Sequence, residues 1–304
     1  MERKYLLKRS SESPRSPSGI DYRQELNEGQ HSAVTTMEGP LLVIAGAGTG
    51  KTRTLVYRVA RLVDLGVDPQ SILLLTFTRR ASEEMLRRAS LLIDNRCEKV
   101  AGGTFHSFAN MVLRQYGRKI GLASAFTIMD RTDSEDVIQH LRTEMGLNTK
   151  EKRFPRKQTV AEIHSMALNK QVTISELIER DYPHLHESLD DLLTLCERYT
   201  VYKRERILLD YDDLLTQLRD LLADHEEVRA HLSDRYRYIL VDEYQDTNRL
   251  QSQIIRFLAA THDNVMVVGD DAQSIYSFRG ANFRNIMDFP ADFPGAKLIY
   301  LEEN

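Results

Sequence analysis

Residues 45–52 read AGAGTGKT and residues 241–243 read VDE, each at the end of an apolar run, LLVIA (41–45) and YILV (238–241). Gly46, Gly48 and Gly50, with Ala45, Ala47 and Thr49 between and before them, form a turn whose backbone N–H groups can face phosphate oxygens. The strict pattern of such a cradle starts with glycine where Ala45 stands, and the remainder fits. Lys51 would reach the β- and γ-phosphates of a nucleotide, and Thr52 would offer its hydroxyl to Mg²⁺ at a helix amino terminus. Arg53, next in the chain, is grouped with these nucleotide contacts.

A phosphate cradle hydrolyses nothing without a carboxylate for the metal and a group that positions water. Asp242 suits the metal, directly or through water, and Glu243 would take a proton from the attacking water. A parallel sheet gathers the carboxyl ends of its strands, so the long sequence gap from Lys51 to Asp242 is no obstacle. The plainer alternatives are a glycine-rich turn without ligand and a solvated acidic turn. The strand-to-helix setting of the first motif and the four apolar residues before Asp242 favour an active hydrolase.

These residues need elements to hold them. LLVIA, SILLLTF (71–77) and KVAGGTF (99–105) read as buried strands, each followed by a helical pattern, the first helix ending at Gly66. Asn27 can cap a short helix that carries Gln30 and Val34. After Gly117 the rhythm stops, and 118–206 reads as several helices, among them TDSEDVIQHLRTEMG and SLDDLLTLCERYTVYKRER. Strands resume with YRYILVDE (236–243), NVMVVGD (264–270) and AKLIYLE (296–302). The pattern predicts an α/β fold, a parallel sheet covered by helices on both faces and interrupted by a helical insert. The expected units are a mobile polar leader (1–24), a discontinuous sheet domain (25–117 and 207–304) and the insert (118–206). No internal repeat is present.

With 304 residues the chain exceeds one ordinary core, and 41% hydrophobic with 28% charged residues is usual for a globular protein. A net charge of −4 excludes a chain that is basic throughout, so any nucleic-acid site must be a local groove. Two cysteines, Cys97 and Cys196, make no disulfide framework or zinc spacing, and a reducing cytoplasm fits. No apolar run is long enough to span a membrane, and no membrane partner is expected.

The phrases LNEGQHSAV, AGAGTGKT, LLLTFTRRASEEM, GGTFHSF, LDYDDLL, ILVDEYQDTN and VVGDDAQSIYSFRGA occur in that order between residues 26 and 281. Together they closely resemble the UvrD/Rep-type branch of superfamily 1 DNA helicases. That resemblance implies a RecA-like P-loop NTPase domain that binds ATP and Mg²⁺ and moves 3′ to 5′ on single-stranded DNA and single/double-strand junctions. It implies that Gln30 reads the adenine, that Gln273 senses the γ-phosphate, and that Asp246 and Arg279 tie neighbouring motifs together. It sets Thr76, Phe77 and Thr78, then Thr104, Phe105 and His106, along a DNA track, with Tyr276 and Phe278 as stacking faces. Without it, an aromatic after a strand reads more readily as core and His106 as a structural histidine.

Two departures from the family pattern stand out: Phe278 replaces the usual tryptophan, in a chain with none, and Arg79-Arg80 replaces Asn-Lys. The basic run KEKRFPRK (150–157) could touch duplex DNA, although a solvated loop is the commoner meaning of such a run. The family continues past an asparagine like Asn304 into a Tyr-Arg pair and a second RecA-like domain. The 304 residues therefore read as the first motor domain, expected to bind Mg-ATP weakly, hydrolyse it poorly and not unwind alone. Another class of function stays open, a DNA-binding or partner-docking module with a vestigial nucleotide site, as does the motor part of a helicase–nuclease. A GTPase or small-molecule kinase fails for want of a guanine-reading motif.

Overall fold

The computed structural model describes residues 17–147, 154–270 and 284–301. Eight strands follow in chain order: β1 (Leu41–Ala45), β2 (Ile72–Thr76), β3 (Ala101–Thr104), β4 (Thr127–Ile128), β5 (Leu208–Leu209), β6 (Tyr238–Val241), β7 (Val265–Gly269) and β8 (Lys297–Leu301). Six of them form one parallel sheet in the order β3-β2-β6-β7-β1-β8. Alternate residues of a strand point to opposite faces, so continuous apolar runs mean that both faces are covered. Leu73 and Leu75, Ile239 and Val241, and Val265 and Val267 enter one core. Their neighbours Ile72, Leu74, Leu240, Met266 and Val268 enter the other.

The second of these cores is roofed by α1 (Tyr22–Glu25), α2 (Glu28–Thr35), α3 (Lys51–Asp64) and α4 (Arg79–Leu92). The first is roofed by α5 (Phe105–Tyr116), after which the chain leaves the sheet. Four helices, α6 (Arg131–Glu144), α7 (Lys157–Lys170), α8 (Ile174–Asp181) and α9 (Leu189–Glu205), share a third core built on Ile138, Ile163, Leu177 and Leu195. The chain then returns to the first core through α10 (Tyr211–Asp224), α11 (Glu226–Arg235), α12 (Arg249–Leu258) and α13 (Arg284–Asp292). The α/β architecture with a parallel, doubly covered sheet agrees with the fold class read from the sequence.

Two details differ from the sequence reading. Residues 17–24 fall within the expected mobile leader, yet Ser18 bonds Asp64 through its N–H (2.9 Å) and hydroxyl (3.0 Å), and Tyr22 is buried edge-on to Tyr57. One buried tyrosine anchors a segment whose composition is otherwise polar. The helical block is also not purely helical, because β4 pairs in parallel with β5 where the chain leaves and re-enters. Such two-residue strands are too short to leave an alternating pattern.

Polar contacts tie the helical block to the sheet core. Asn169 on α7 donates to Asp212 on α10 (2.8 Å) and accepts from Asn248, the residue capping α12 (2.6 Å). Gln171 and Gln253 exchange two amide hydrogen bonds, at 2.7 and 2.9 Å. At the end of α9, Lys203 is 3% exposed and lies 2.6 Å from carboxylate oxygens of both Asp210 and Asp213. Burial opposes its charge, but the two carboxylates outweigh that and hold its pKa above the ordinary lysine value. Cys97 and Cys196 are both free and buried, and burial pushes their thiols up to about 11 and about 12. Among the described residues no helix is long and apolar enough to cross a membrane.

Candidate ATP and nucleic-acid site

The cradle turns at the carboxyl end of β1. Gly50 adopts φ 90°, ψ 33°, and a Cβ there would stand 2.5 Å from Gln30 Nε2, so only glycine serves. Gly50 caps α3 without a side-chain bond, which leaves the first-turn N–H groups directed at whatever lies above the strand. Thr49 is buried and donates its hydroxyl to Gly46 O (2.9 Å), tightening the turn. Gln30 Nε2 donates to Thr49 O (2.9 Å), while its Oε1 accepts from Asn27 N–H (3.4 Å) within a capping box. The amide expected to read adenine thus holds the cradle to α2. Arg58 of α3 clamps that helix from the other end by donating to the carbonyls of Ala33, Val34 and Met37. Burial lowers its pKa to about 10.

Strand ends from β6 and β7 face the cradle. Asp242 N–H donates to Leu75 O (2.9 Å), pinning the end of β6 to β2. The next residue, Glu243, sits in the left-handed region (φ 49°, ψ 49°), which a residue with a side chain occupies only when its surroundings impose it. Lys51 Nζ lies 3.3 Å from Glu243 Oε2 and 3.5 Å from Asp270 Oδ2, so residues following three different strands meet at one ammonium. Asp242 Oδ1 is buried with no hydrogen-bond partner among the described residues. Burial first, then the neighbouring Glu243, raises the Asp242 carboxyl to about 6. Asp246 is raised for the same two reasons.

An orphaned, desolvated carboxyl oxygen beside a helix amino terminus is a group that a divalent cation would satisfy. Thr52 and Asp242 both line a cleft of about 370 Å³ that also touches Glu243, Phe77, Thr78 and Arg88. The donor set therefore fits Mg²⁺ with a nucleotide. Arg53 does not join it: its guanidinium donates to Glu25 O (2.7 Å) and Glu25 Oε2 (3.1 Å), at the end of α1.

The protein-family model described as UvrD/REP helicase N-terminal domain matches residues 26–294. The chain belongs to the UvrD/REP helicase family. Similar proteins include one named ATP-dependent DNA helicase PcrA from Leuconostoc citreum, 40% identical over 284 residues, with 92% of this chain and 37% of that protein covered. Proteins of the same name from Staphylococcus epidermidis RP62A (38% over 282 residues) and Staphylococcus aureus Mu50 (37% over 280) each match 92% of this chain and 38% of their own length. The chain spans less than two fifths of the length of the curated relatives it matches.

Residues of this UvrD/REP domain read from sequence as DNA contacts fall into two groups. Phe77, 62% exposed at the end of β2, is open to a ligand, and His106 stands edge-on to the exposed Tyr211 at 5.7 Å. Phe105, by contrast, is 5% exposed and belongs to the core beneath the sheet. Thr76 is buried and donates its hydroxyl to Thr78 O (2.7 Å). It shapes the turn instead of meeting a phosphate. The hydroxyls of Thr78 and Thr104 accept from Ala81 N–H and Ser107 N–H and so cap α4 and α5. Gln273, Tyr276, Phe278 and Arg279 lie outside the described residues, as do residues 150–153 of the basic run and the chain end at Asn304. From that run, Lys157 pairs with Asp136 at 2.6 Å.

Sequence reading passed over Asp270, Gln245 and Tyr211. Asp270 directly follows an apolar strand, as Asp242 does, and the same rule would have found it. Gln245 carries no such mark. Tyr211 was within the quoted LDYDDLL but was not separated from its neighbours.

Proposed function

We propose that this chain is the first, ATP-binding motor domain of a DNA helicase, acting on Mg-ATP and single-stranded DNA. The observation that carries it is the meeting of Lys51, Glu243 and Asp270 beside a glycine cradle, with an Asp242 oxygen that has no partner among the described residues. In this reading the cradle N–H groups and Lys51 hold the phosphates, Thr52 and Asp242 hold Mg²⁺, and Glu243 accepts the proton of the attacking water. Mg²⁺ supplies charge neutralisation on the phosphate oxygens. Phe77 offers a stacking face, His106 and Thr104 lie farther along the same track, and junction binding and 3′ to 5′ movement belong to the proposal. The working cycle is closure of two RecA-like domains around ATP, of which residues 25–117 and 207–304 supply the first and residues 118–206 an insert.

The test is ATP turnover by the 304-residue chain with and without a single-stranded oligonucleotide. Measurable, Mg²⁺-dependent ATP binding is expected, with turnover that needs the Glu243 carboxylate. Lys51→Ala should weaken Mg-ATP binding by about 10–100-fold, the loss of a charge-assisted contact. Unchanged affinity would sink the cradle assignment and favour a docking module. On the DNA side, Phe77→Ala should cost about 1–3 kcal/mol in oligonucleotide affinity and leave Mg-ATP affinity alone. Fluorescence anisotropy reads the first quantity and calorimetry the second.

A further inference from the structure

Gln245 is 2% exposed. It lies in the short 3-10 turn Tyr244–Asp246 that follows Glu243, with its side chain folded back over the strand ends. Its Nε2 donates to Glu243 Oε2 at 2.6 Å, and its Oε1 accepts the N–H of Asp270 at 3.0 Å. Asp270 Oδ2 and Glu243 Oε2 in turn both face Lys51 Nζ, at 3.5 and 3.3 Å. The four residues close a ring across the carboxyl ends of β6 and β7 and the start of α3.

The chemistry of the ring is specific to an amide. A carboxylate acceptor on one side and a backbone donor on the other require a side chain that donates and accepts at once. Turning the amide over would face its oxygen to a carboxylate oxygen and its NH₂ to an N–H, so its orientation is set by its partners. Space is limited as well: a Cβ on Gly269 would meet Gln245 Oε1 at 3.0 Å.

We propose that Gln245 is a positioning residue for ATP hydrolysis, holding the Glu243 carboxylate in place and coupling it to the end of β7. The inference rests on the reading of Glu243 as the proton acceptor. Lys51 is the partner that a nucleotide's phosphates would draw away from Glu243. Gln245, which has no part in phosphate binding, then remains to hold Oε2 and leaves Oε1 free for water. Because its other end grips Asp270 N–H, a displacement of β7 relative to β6 moves the carboxylate too.

Single-turnover ATP hydrolysis, with the full chain in excess over nucleotide, tests this on Gln245→Glu, Gln245→Met and Glu243→Gln, with Mg-ATP affinity and thermal midpoint measured in parallel. Gln245→Glu keeps the shape but sets carboxylate against carboxylate, and Gln245→Met keeps the length without polar atoms. Both are expected to lower the rate by about 10–100-fold, as loss of an orienting partner does, with affinity kept within about threefold. A merely structural glutamine would instead lower rate, affinity and midpoint together, and that pattern overturns the proposal. So do Gln245 variants as fast as the parent while Glu243→Gln is inactive, a result that leaves the role of Glu243 standing. If Glu243→Gln itself turns over normally, the proton-acceptor reading fails and the positioning role fails with it.

Discussion

Glu243→Gln is expected to lower ATP turnover by about 10²–10⁴-fold while Mg-ATP binding survives, the range for loss of a positioned general base. The substitution keeps the side-chain length and an oxygen that can still accept from Lys51, now 3.3 Å away, and from Gln245 at 2.6 Å. What it removes is the capacity to take a proton. The cradle, Lys51 and the Thr52–Asp242 pair are untouched, so ground-state binding should change little, and the loss belongs to the rate alone. Quench-flow measurement of phosphate release beside equilibrium binding of Mg-ATP separates the two quantities. Normal turnover would remove Glu243 from the chemistry.

Lys203→Met should cost about 3–5 kcal/mol of stability at pH 8, the penalty for leaving buried charge without its partner. Methionine replaces most of the stem, but the carboxylates of Asp210 and Asp213, each 2.6 Å from the lost ammonium, would face one another. Tyr199, which donates to Asp210 at 2.9 Å, and the reciprocal backbone N–H groups of Asp210 (3.0 Å) and Asp213 (2.9 Å) are neutral donors left to them. In the parent chain burial, followed by the charge of Asp210, already raises the Asp213 carboxyl. Without Lys203 both carboxyls rise above their unfolded values, so the folded state binds more protons than the unfolded state between those values. Stability then falls as pH rises through the raised folded pKa values and recovers as pH falls below them. Denaturant unfolding at pH 8 and pH 5 should show the larger deficit at pH 8. An equal deficit at both would mean that lost packing, and not stranded charge, is the cause.

Much of this was readable in advance where local pattern and local chemistry coincide. The runs LLVIA and YILV could only be buried strands, and the polar residues at their carboxyl ends, Lys51 by way of the turn and Asp242 and Glu243 directly, had to converge if the sheet was parallel. Strand order was not readable, because an apolar run records burial and not the identity of its neighbours. Side-chain engagement was hidden for a related reason. Thr76 and Phe105 stand beside Phe77 and His106 in near-identical phrases, but one position along a strand or one step around a helix changes burial to exposure. Gln245 is polar in sequence and buried in the fold, since both of its partners become adjacent only when β6 and β7 do. The anchored Tyr22 and the β4–β5 bridge rest on a few contacts too sparse to generate a pattern.

The place of β1 in the sheet bears on how the chain is made. Both of its neighbours, β7 and β8, are formed by the last strands among the described residues, with Leu41 opposite Met266 and Lys297. A ribosome working at about 5–20 residues per second needs roughly 11–45 s to travel from Leu41 to its earlier partner, Met266. Throughout that interval β1 has no partner among the described strands, while β2 gains β3 and then β6. Helices α6–α9 can meanwhile collapse on their own core, since Ile138, Ile163, Leu177 and Leu195 all emerge before β6. The glycine cradle thus leaves the tunnel well before the strands that flank β1 are made. A chaperone that shields bare strand edges would find its longest-lived target at residues 41–45.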